Sequence, residues 1–274
     1  MLTFISPAKI NLFLKVLGRR LDGYHDLASL FQAISLHDTL HFELAECNTL
    51  ICSDPSIPTD SSNLIFKAAS LFRSKTGLKF GLKCILEKHI PHEAGLGGGS
   101  SNAATTLWAL NQLHGMTVPL EQLIDWSSEI GSDITFFLSQ GTAYCTGRGE
   151  ILRPLEALPY QTLWIVKPPQ GLSTPKVFKH LNLDQLSKYD PENSLENFYL
   201  NQPCYYNDLE EAAFILQPSL QSLKHQLLES GFQTVLMTGS GTAFFCLGNG
   251  IIPEIAGVRA FRVHFMRRTV SDWY

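Results

Sequence analysis

Pro91-His-Glu-Ala-Gly-Leu-Gly-Gly-Gly-Ser-Ser-Asn-Ala-Ala104 is the stretch that decides how this chain reads. Gly95, Gly97, Gly98 and Gly99 run straight into two hydroxyls, an amide and a helix-forming sequence. Glycine permits positive φ and lets the main chain touch a ligand. A helix start leaves about four N–H groups unpaired and carries partial positive charge, so it attracts phosphate. Ser100 is the expected N-cap. Beyond it Ala103, Ala104, Leu107, Leu110 and Leu113 fall at helical spacing and anchor the helix on a core. The segment reads as a phosphate cradle mounted on a rigid element. The alternative is a flexible connection, but ordering four glycines against a well-patterned helix costs backbone entropy that a plain linker has no reason to spend.

Two familiar phosphate loops do not fit. A P-loop ends in Gly-Lys-Ser/Thr, and here Gly99 is followed by Ser100. A dinucleotide fingerprint needs G-x-G-x-x-G, and counting from Gly95 puts Ser100 at the third glycine.

The 274 residues suit one large or two modest domains, and 45% hydrophobic residues provide for a sizeable core. Twenty-one basic against 25 acidic residues give a net charge of −4, with no basic stripe to suggest nucleic acid. Six cysteines form no C-x-x-C pair and read as buried thiols in a reducing compartment. No run approaches the roughly 18 apolar residues of a membrane span, and Pro7 and Lys9 interrupt any leader-like start. The expectation is a soluble, cytoplasmic protein.

Ala8, Ile10, Leu12, Leu14 and Val16 alternate as one face of a strand, with Lys9, Asn11 and Lys15 opposite and Phe13 as the exception. Arg20-Leu-Asp22-Gly23 is a turn. Strands are expected over 27–36 and 39–44, a loop over 46–62, a helix from Asn63 to Phe72 and a strand over 78–88. After the cradle helix come another over 119–130, the apolar run Ile134–Leu138 and a Gly147-Arg148-Gly149 turn. Pro154 and Pro159 bracket a linker-like boundary. Further on, Thr174-Pro175 resembles a helix start, Asn207 with Glu210 a capping box, and 218–229 a helix ending near Gly231. Hairpin-like groups of strands with irregular helices indicate an α+β fold.

Phosphoryl transfer needs anchored phosphates, neutralised charge and a positioned acceptor hydroxyl. Asp133 is a lone carboxylate beside an apolar run, suited to act as base or, alternatively, to cap the helix after it. Lys9 is a cation in a core-forming strand with Asn11 on the same face, suited to hold an aspartate and a substrate oxygen; the alternative is an exposed sheet face. Tyr24-His25 can stack on and hydrogen-bond a heterocycle, or simply close a hairpin. Asn63-Leu64 is either a nucleotide contact or a plain helix start, and Gly239-Ser240-Gly241 either a substrate-facing turn or a plain hairpin. His37 and His41 lie in a β-like segment, and no metal site is read from the chain.

Pro91-x-x-x-Gly-Leu-Gly-Gly-Gly-Ser-Ser101 resembles the signature of the small-molecule kinases related to galactokinase, homoserine kinase and mevalonate kinase, the GHMP superfamily. Pro7-Ala-Lys9-Ile-Asn11-Leu and Gly131-Ser132-Asp133-Ile134-x-Phe-Phe are similar to two further motifs of that superfamily, with Thr135 where proline is usual. Gly239-Ser240-Gly241 is similar to its third motif. Gly95 to Ala104 is most similar to the branch that phosphorylates a cytidine-diphosphate-bearing methylerythritol in the non-mevalonate isoprenoid route. The resemblance implies a ribosomal-S5-like nucleotide-binding domain over 1–156, an α+β domain over 157–274 and an active site in the cleft between.

It also implies roles. Lys9 and Asp133 would be catalytic. Asn63, Leu64, Pro91, Gly95, Leu96, Gly97, Gly98, Gly99, Ser100 and Ser101 would hold ATP, which brings Mg²⁺. Asn11, Tyr24, His25, Arg148, Thr174, Phe178, Gly239 and Ser240 would meet a small substrate carrying a cytidine diphosphate. No nucleic acid or membrane partner is implied, and the expected state is a monomer or weak dimer. A homoserine or mevalonate kinase is the first rival, and Tyr24-His25 argues against it because those substrates have no base to stack on. A non-catalytic nucleotide- or RNA-binding module is the second, and Lys9 with Asp133 argues against that.

Overall fold

The computed structural model describes residues 1–274. The first half contains β1 (Leu2–Arg19), β2 (His25–Ala45), β3 (Thr49–Cys52), α1 (Leu64–Thr76), β4 (Gly81–Glu87), α2 (Gly98–Leu113), α3 (Leu120–Ser127), α4 (Ile134–Phe137), β5 (Thr142–Gly147) and β6 (Ile151–Pro154). The second contains β7 (Thr162–Lys167), α5 (Thr174–Lys179), α6 (Pro191–Tyr199), α7 (Glu210–Leu216), α8 (Pro218–Glu229), β8 (Thr234–Met237), β9 (Phe244–Leu247) and β10 (Arg259–His264). Six strands form one sheet in the order β3-β4-β2-β5-β6 with β1 also on β2, and four form another in the order β10-β7-β9-β8. The mixture of antiparallel hairpins and segregated helices is the α+β arrangement expected.

β2 is the organising strand. β1 pairs with it along its whole length, while its other pairings are shared between β4 (Thr39–Ala45) and β5 (Leu27–Gln32). The sequence suggests two strands here; the structure has one, because Ser6 and Pro7 pair with Asp38 and His37 and the ladder resumes at Ala8–Ile34 across a bulge at Ser35 and Leu36. The adjustment is made by register shifts between Pro7 and Ala8, Asn11 and Phe13, and Val16 and Gly18. A proline cannot donate to the ladder and bulges re-aim side chains, so Phe13 turns into the core although strict alternation would put it with Lys9. Thr49–Cys52, expected as loop, is a short strand parallel to β4.

Every residue from Ser6 to Leu14 is buried, because β1 has a packed layer on each face. On one side the sheet packs against α1 to α4 around Phe72, Leu107, Phe136 and Phe137. On the other, Ile10, Leu12 and Phe13 meet Ile165, Leu236 and Phe245 of the second sheet. The exposed-face reading of Lys9 and Asn11 is therefore corrected: they are 3% and 1% exposed. Leu107 locks α2 into the first core, and truncating such a side chain to alanine costs about 2–5 kcal/mol.

Asn63 caps α1 through Oδ1, which accepts from Ile65 N at 2.9 Å, and Gly77 ends that helix in the left-handed region at φ 73°. α2 begins three residues earlier than expected. Gly97, at φ 70°, is its N-cap, so Ser100 lies inside the first turn rather than capping it. α5 begins at Thr174 with Ser173 in the N-cap position, which makes no side-chain capping bond. Asn207 and Glu210 form no capping box. Asn207 Nδ2 donates to Met237 O and Gly239 O, and Glu210 Oε1 accepts from Met237 N, so both hold β8 instead.

Residues 265–274 leave the second sheet and return to the first. Met266 N donates to Ala33 O at 2.8 Å, Arg268 Nε to Ser139 O at 2.7 Å and Trp273 Nε1 to Ile5 O at 2.7 Å. Trp273 stacks on Trp108 of α2 at 5.3 Å, with the Arg268 guanidinium beside both rings. Half of the six cysteines are buried (Cys84, Cys145 and Cys246) and all six are free thiols. No helix is long and apolar enough to cross a membrane.

Candidate active site

A cleft of about 940 Å³ opens where the glycine loop, β1, the 131–133 turn and the second sheet's 238–241 turn converge. It is lined by every residue given a catalytic or binding role above except Ser101. Ser101 is fully buried beneath the first turn of α2, its hydroxyl 2.8 Å from Ser6 Oγ, so its expected contact with nucleotide is corrected to a support for the loop.

Backbone geometry makes the cradle. Gly95 and Gly97 both have positive φ, 76° and 70°. A Cβ on Gly95 would lie 2.0 Å from Thr238 O, and one on Gly97 would press on Phe137 at 2.9 Å and on Lys9 Cγ at 3.1 Å. Only glycine serves where main chain meets main chain at such range. Lys9 N donates to Leu96 O at 2.9 Å and Ala243 N to Ala94 O at 3.2 Å, so the loop is pinned to both sheets. The first N–H groups of α2 are left facing the cleft beside Ser100.

Lys9 and Asp133, 124 positions apart, meet on the floor: Lys9 Nζ is 3.6 Å from Asp133 Oδ2. Lys9 is held from three sides. Nζ donates to Asn11 Oδ1 at 2.7 Å and sits 4.6 Å from the centre of the Phe31 ring, with Asp133 as the third neighbour. Asn11 is fixed in turn, its Nδ2 donating to Ser29 Oγ at 2.8 Å and its N to Thr238 Oγ1 at 3.0 Å. Asp133 precedes α4, yet its side chain makes no capping hydrogen bond, so its carboxylate is left for the cleft. The Gly147–Gly149 turn closes over it: a Cβ on Gly149 would lie 3.4 Å from Asp133 Oδ1.

At the far end, Tyr24, His25, Arg148 and Phe178 form an aromatic and cationic rim. His25 stacks on Phe178 at 5.1 Å with 24° between the rings, and Arg148 lies over Tyr24 at 5.0 Å. Tyr24 itself is 57% exposed. Partial burial, with the Arg19 charge nearby, pushes the His25 imidazole below its ordinary range, favouring the neutral ring. Thr174 Oγ1 is 2.7 Å from Ser240 Oγ, closing α5 onto the glycine turn. Asn63 and Leu64 form the opposite wall with Ile57, Pro58 and Ser62, and a Cβ on Gly99 would touch Leu64 Cδ1 at 3.4 Å. Asn63 therefore caps its helix and lines the cleft at once.

Several residues here carried no sequence signal. Thr238, Ser29 and Phe31 act by fixing Asn11 and Lys9, and nothing in their local pattern marks them. Lys88 also lines the cleft, paired with buried Asp38 at 3.0 Å; a lysine ending a strand beside the cradle was the signal available. No three His, Cys, Asp or Glu side chains converge as a metal cage.

The GHMP kinases N-terminal domain family matches residues 63–141. A 4-diphosphocytidyl-2-C-methyl-D-erythritol kinase of Protochlamydia amoebophila is 57% identical over 269 residues, 98% of this chain and 91% of its own. The chloroplastic 4-diphosphocytidyl-2-C-methyl-D-erythritol kinase of Arabidopsis thaliana is 45% identical over 292 residues, covering all of this chain and 76% of its own. The crystal structure of a 4-(cytidine 5′-diphospho)-2C-methyl-D-erythritol kinase superposes with a TM-score of 0.81 at 35% identity, covering 97% of this chain and 99% of that one. Homoserine kinase from Cytophaga hutchinsonii shares the fold at a TM-score of 0.69 and 16% identity.

Proposed function

The chain belongs to the 4-diphosphocytidyl-2-C-methyl-D-erythritol kinases of the GHMP superfamily, and from that membership we propose how its cleft does the work. The enzyme transfers the γ-phosphoryl group of ATP to the 2-hydroxyl of 4-diphosphocytidyl-2-C-methyl-D-erythritol, in isoprenoid biosynthesis.

Asp133 accepts the proton of the acceptor hydroxyl as its oxygen bonds to the γ-phosphorus, and the bond to the β–γ bridging oxygen breaks, releasing ADP. A positioned base of this kind contributes about 10²–10⁴-fold in rate. Lys9, fixed by Asn11 and Phe31, orients the carboxylate and offers positive charge to the group in transfer. The amides of Gly98, Gly99 and Ser100 hold the phosphates, with Pro91, Gly95, Leu96 and Gly97 shaping the loop, and Asn63 and Leu64 flank the adenine. Tyr24 and Phe178 take the cytosine, His25 reads its edge and Arg148 faces the diphosphate. Thr174, Gly239 and Ser240 close over the acceptor end.

ATP fits the cradle because Gly97, Gly98, Gly99 and Ser100 line the cleft with main chain and one small hydroxyl, leaving the phosphates room to approach the amides. Mg²⁺ is a hard cation that keeps water and phosphate ligands, so it fits a cleft with an open hydroxyl at Ser100 and no protein cage. Bound with the nucleotide, it neutralises phosphate charge.

The single observation that carries this reading is the Lys9–Asp133 contact at the foot of the glycine loop. The same reading divides the chain into 1–156 and 157–274, supported by the change of sheet between β6 and β7.

The test is incubation with ATP, Mg²⁺ and a panel of acceptors, read by mass spectrometry. A phosphorylated cytidylyl alcohol with equimolar ADP is expected. Preferential turnover of homoserine or mevalonate, or ADP release with no phosphorylated alcohol, would overturn the reading.

A further inference from the structure

We propose that Ser6 and Asp38 are positioning residues that together fix the two ends of the glycine loop and so set its affinity for the phosphates of the nucleotide. The two are direct cross-strand partners in β1 and β2. Facing residues of an antiparallel pair point to the same side of the sheet. Both are fully buried, and neither belongs to the cleft lining.

Asp38 grips the way into the loop. Its Oδ1 accepts from His89 N and Ile90 N, both at 2.8 Å, and from Lys88 Nζ at 3.2 Å, while Oδ2 faces the same ammonium at 3.0 Å. Three consecutive residues leading from β4 to Pro91 are thus tied to one carboxylate. Lys88 also donates to Ile90 O, which closes the corner on itself. Ser6 grips the way out: its Oγ lies 2.8 Å from both Ser101 Oγ and Asn102 Oδ1 in the first turn of α2. Between the two anchors the loop hangs from the backbone contact of Lys9 N with Leu96 O.

A fully buried carboxylate is costly unless paired and hydrogen-bonded, and here all the donors on Asp38 come from the loop's approach. A buried serine hydroxyl aimed at α2 has the same logic. The β1–β2 ladder thereby sets the spacing of the cradle's ends and the position of Lys9 from one rigid element. Amide donors bind phosphate best when held in place beforehand, since each degree of freedom frozen on binding subtracts from affinity.

This inference rests on the nucleotide reading of the cradle. The test measures ADP, adenosine and the cytidylyl alcohol on Ser6→Ala and on Asp38→Asn, with Lys88 kept in place because it lines the cleft and its loss would remove a cation from the site itself. Calorimetry is expected to show the Kd for ADP rising about tenfold, the loss of one charge-assisted anchor. Adenosine, which lacks phosphates, and the KM of the alcohol should stay within about twofold, because the anchors act on the loop alone. Unchanged ADP affinity in both variants overturns the proposal. So does a parallel loss for ADP and adenosine, which is what general loosening of the fold would give. Failure of the unmodified enzyme to bind ADP would instead strike at the nucleotide reading itself.

Discussion

The two ends of the cleft are built to opposite standards. At the phosphate end, Lys9 and Asn11 are almost wholly buried, the loop is pinned backbone to backbone, and a Cβ at Gly95 has no room. At the end proposed to take the cytosine, Tyr24 is more than half exposed, Phe178 rests on the His25 ring, and Arg148 lies over Tyr24 with only the neighbouring Glu150 as its ion-pair partner. The difference follows from the tasks. Charge developing in a phosphoryl transition state is stabilised by groups that need not move. A flat base is gripped by π faces, which tolerate displacement and can close as the ligand arrives.

That contrast can be broken by substitution at each end. Asp133→Asn removes the proposed base and leaves the packing, so kcat is expected to fall about 10²–10⁴-fold with the Kd for ATP within about threefold. A near-normal kcat would take Asp133 out of the chemistry. Gly95→Ala forces a side chain into Thr238 O at positive φ and should destabilise the fold by about 2–4 kcal/mol, seen as a lower Tm together with weaker ADP binding. An unchanged Tm would show that the phosphate end yields as readily as the other.

The cytosine end should respond differently. Tyr24→Ala and Phe178→Ala each lose stacking of about 1–3 kcal/mol, raising the KM of the cytidylyl alcohol at least fivefold with kcat and Tm little altered. A collapse of kcat instead would mean that recognition and chemistry are mechanically coupled. The smallest effect is in pH. Because the His25 pKa is lowered, its neutral form persists to more acid solution than an ordinary imidazole, whose value is about 6.5. The KM of the alcohol should stay flat down to about that pH and rise a few-fold only below it, and the His25→Gln variant should lose that acid limb. A limb that begins above pH 7 would contradict the assigned environment.

The same contrast governs what could be read from the sequence. The phosphate end was legible because its requirements are local and severe. Four glycines before a helix, a lysine in an apolar strand and an isolated aspartate are each anomalies that chemistry explains. The N-caps of α2 and α5 lie three residues and one residue before Ser100 and Thr174, because Gly97 takes the left-handed conformation that opens the first helix and Ser173 occupies the N-cap position of the second without a side-chain bond. The unbroken course of β2, the short β3 and the roles of Asn207 and Glu210 were not legible. Each depends on a partner far along the chain: β1 opposite 37–38, β4 beside 49–52, and β8 beside Asn207. Asp38 was invisible for the same reason, as nothing near it in sequence announces the corner at 88–90 that it binds.

The return of residues 265–274 to the first sheet has a consequence for how this molecule can be taken apart. Trp108 belongs to the helix that presents the glycine loop, yet its outer face is roofed by Trp273 and Arg268. Residues 1–156 prepared as a separate fragment would expose that indole, together with the β1 face that meets the second sheet. Such a piece should aggregate or stay molten. Adding 157–274 in trans should restore solubility and nucleotide binding jointly, so the enzyme can be cut in two but neither half can serve alone.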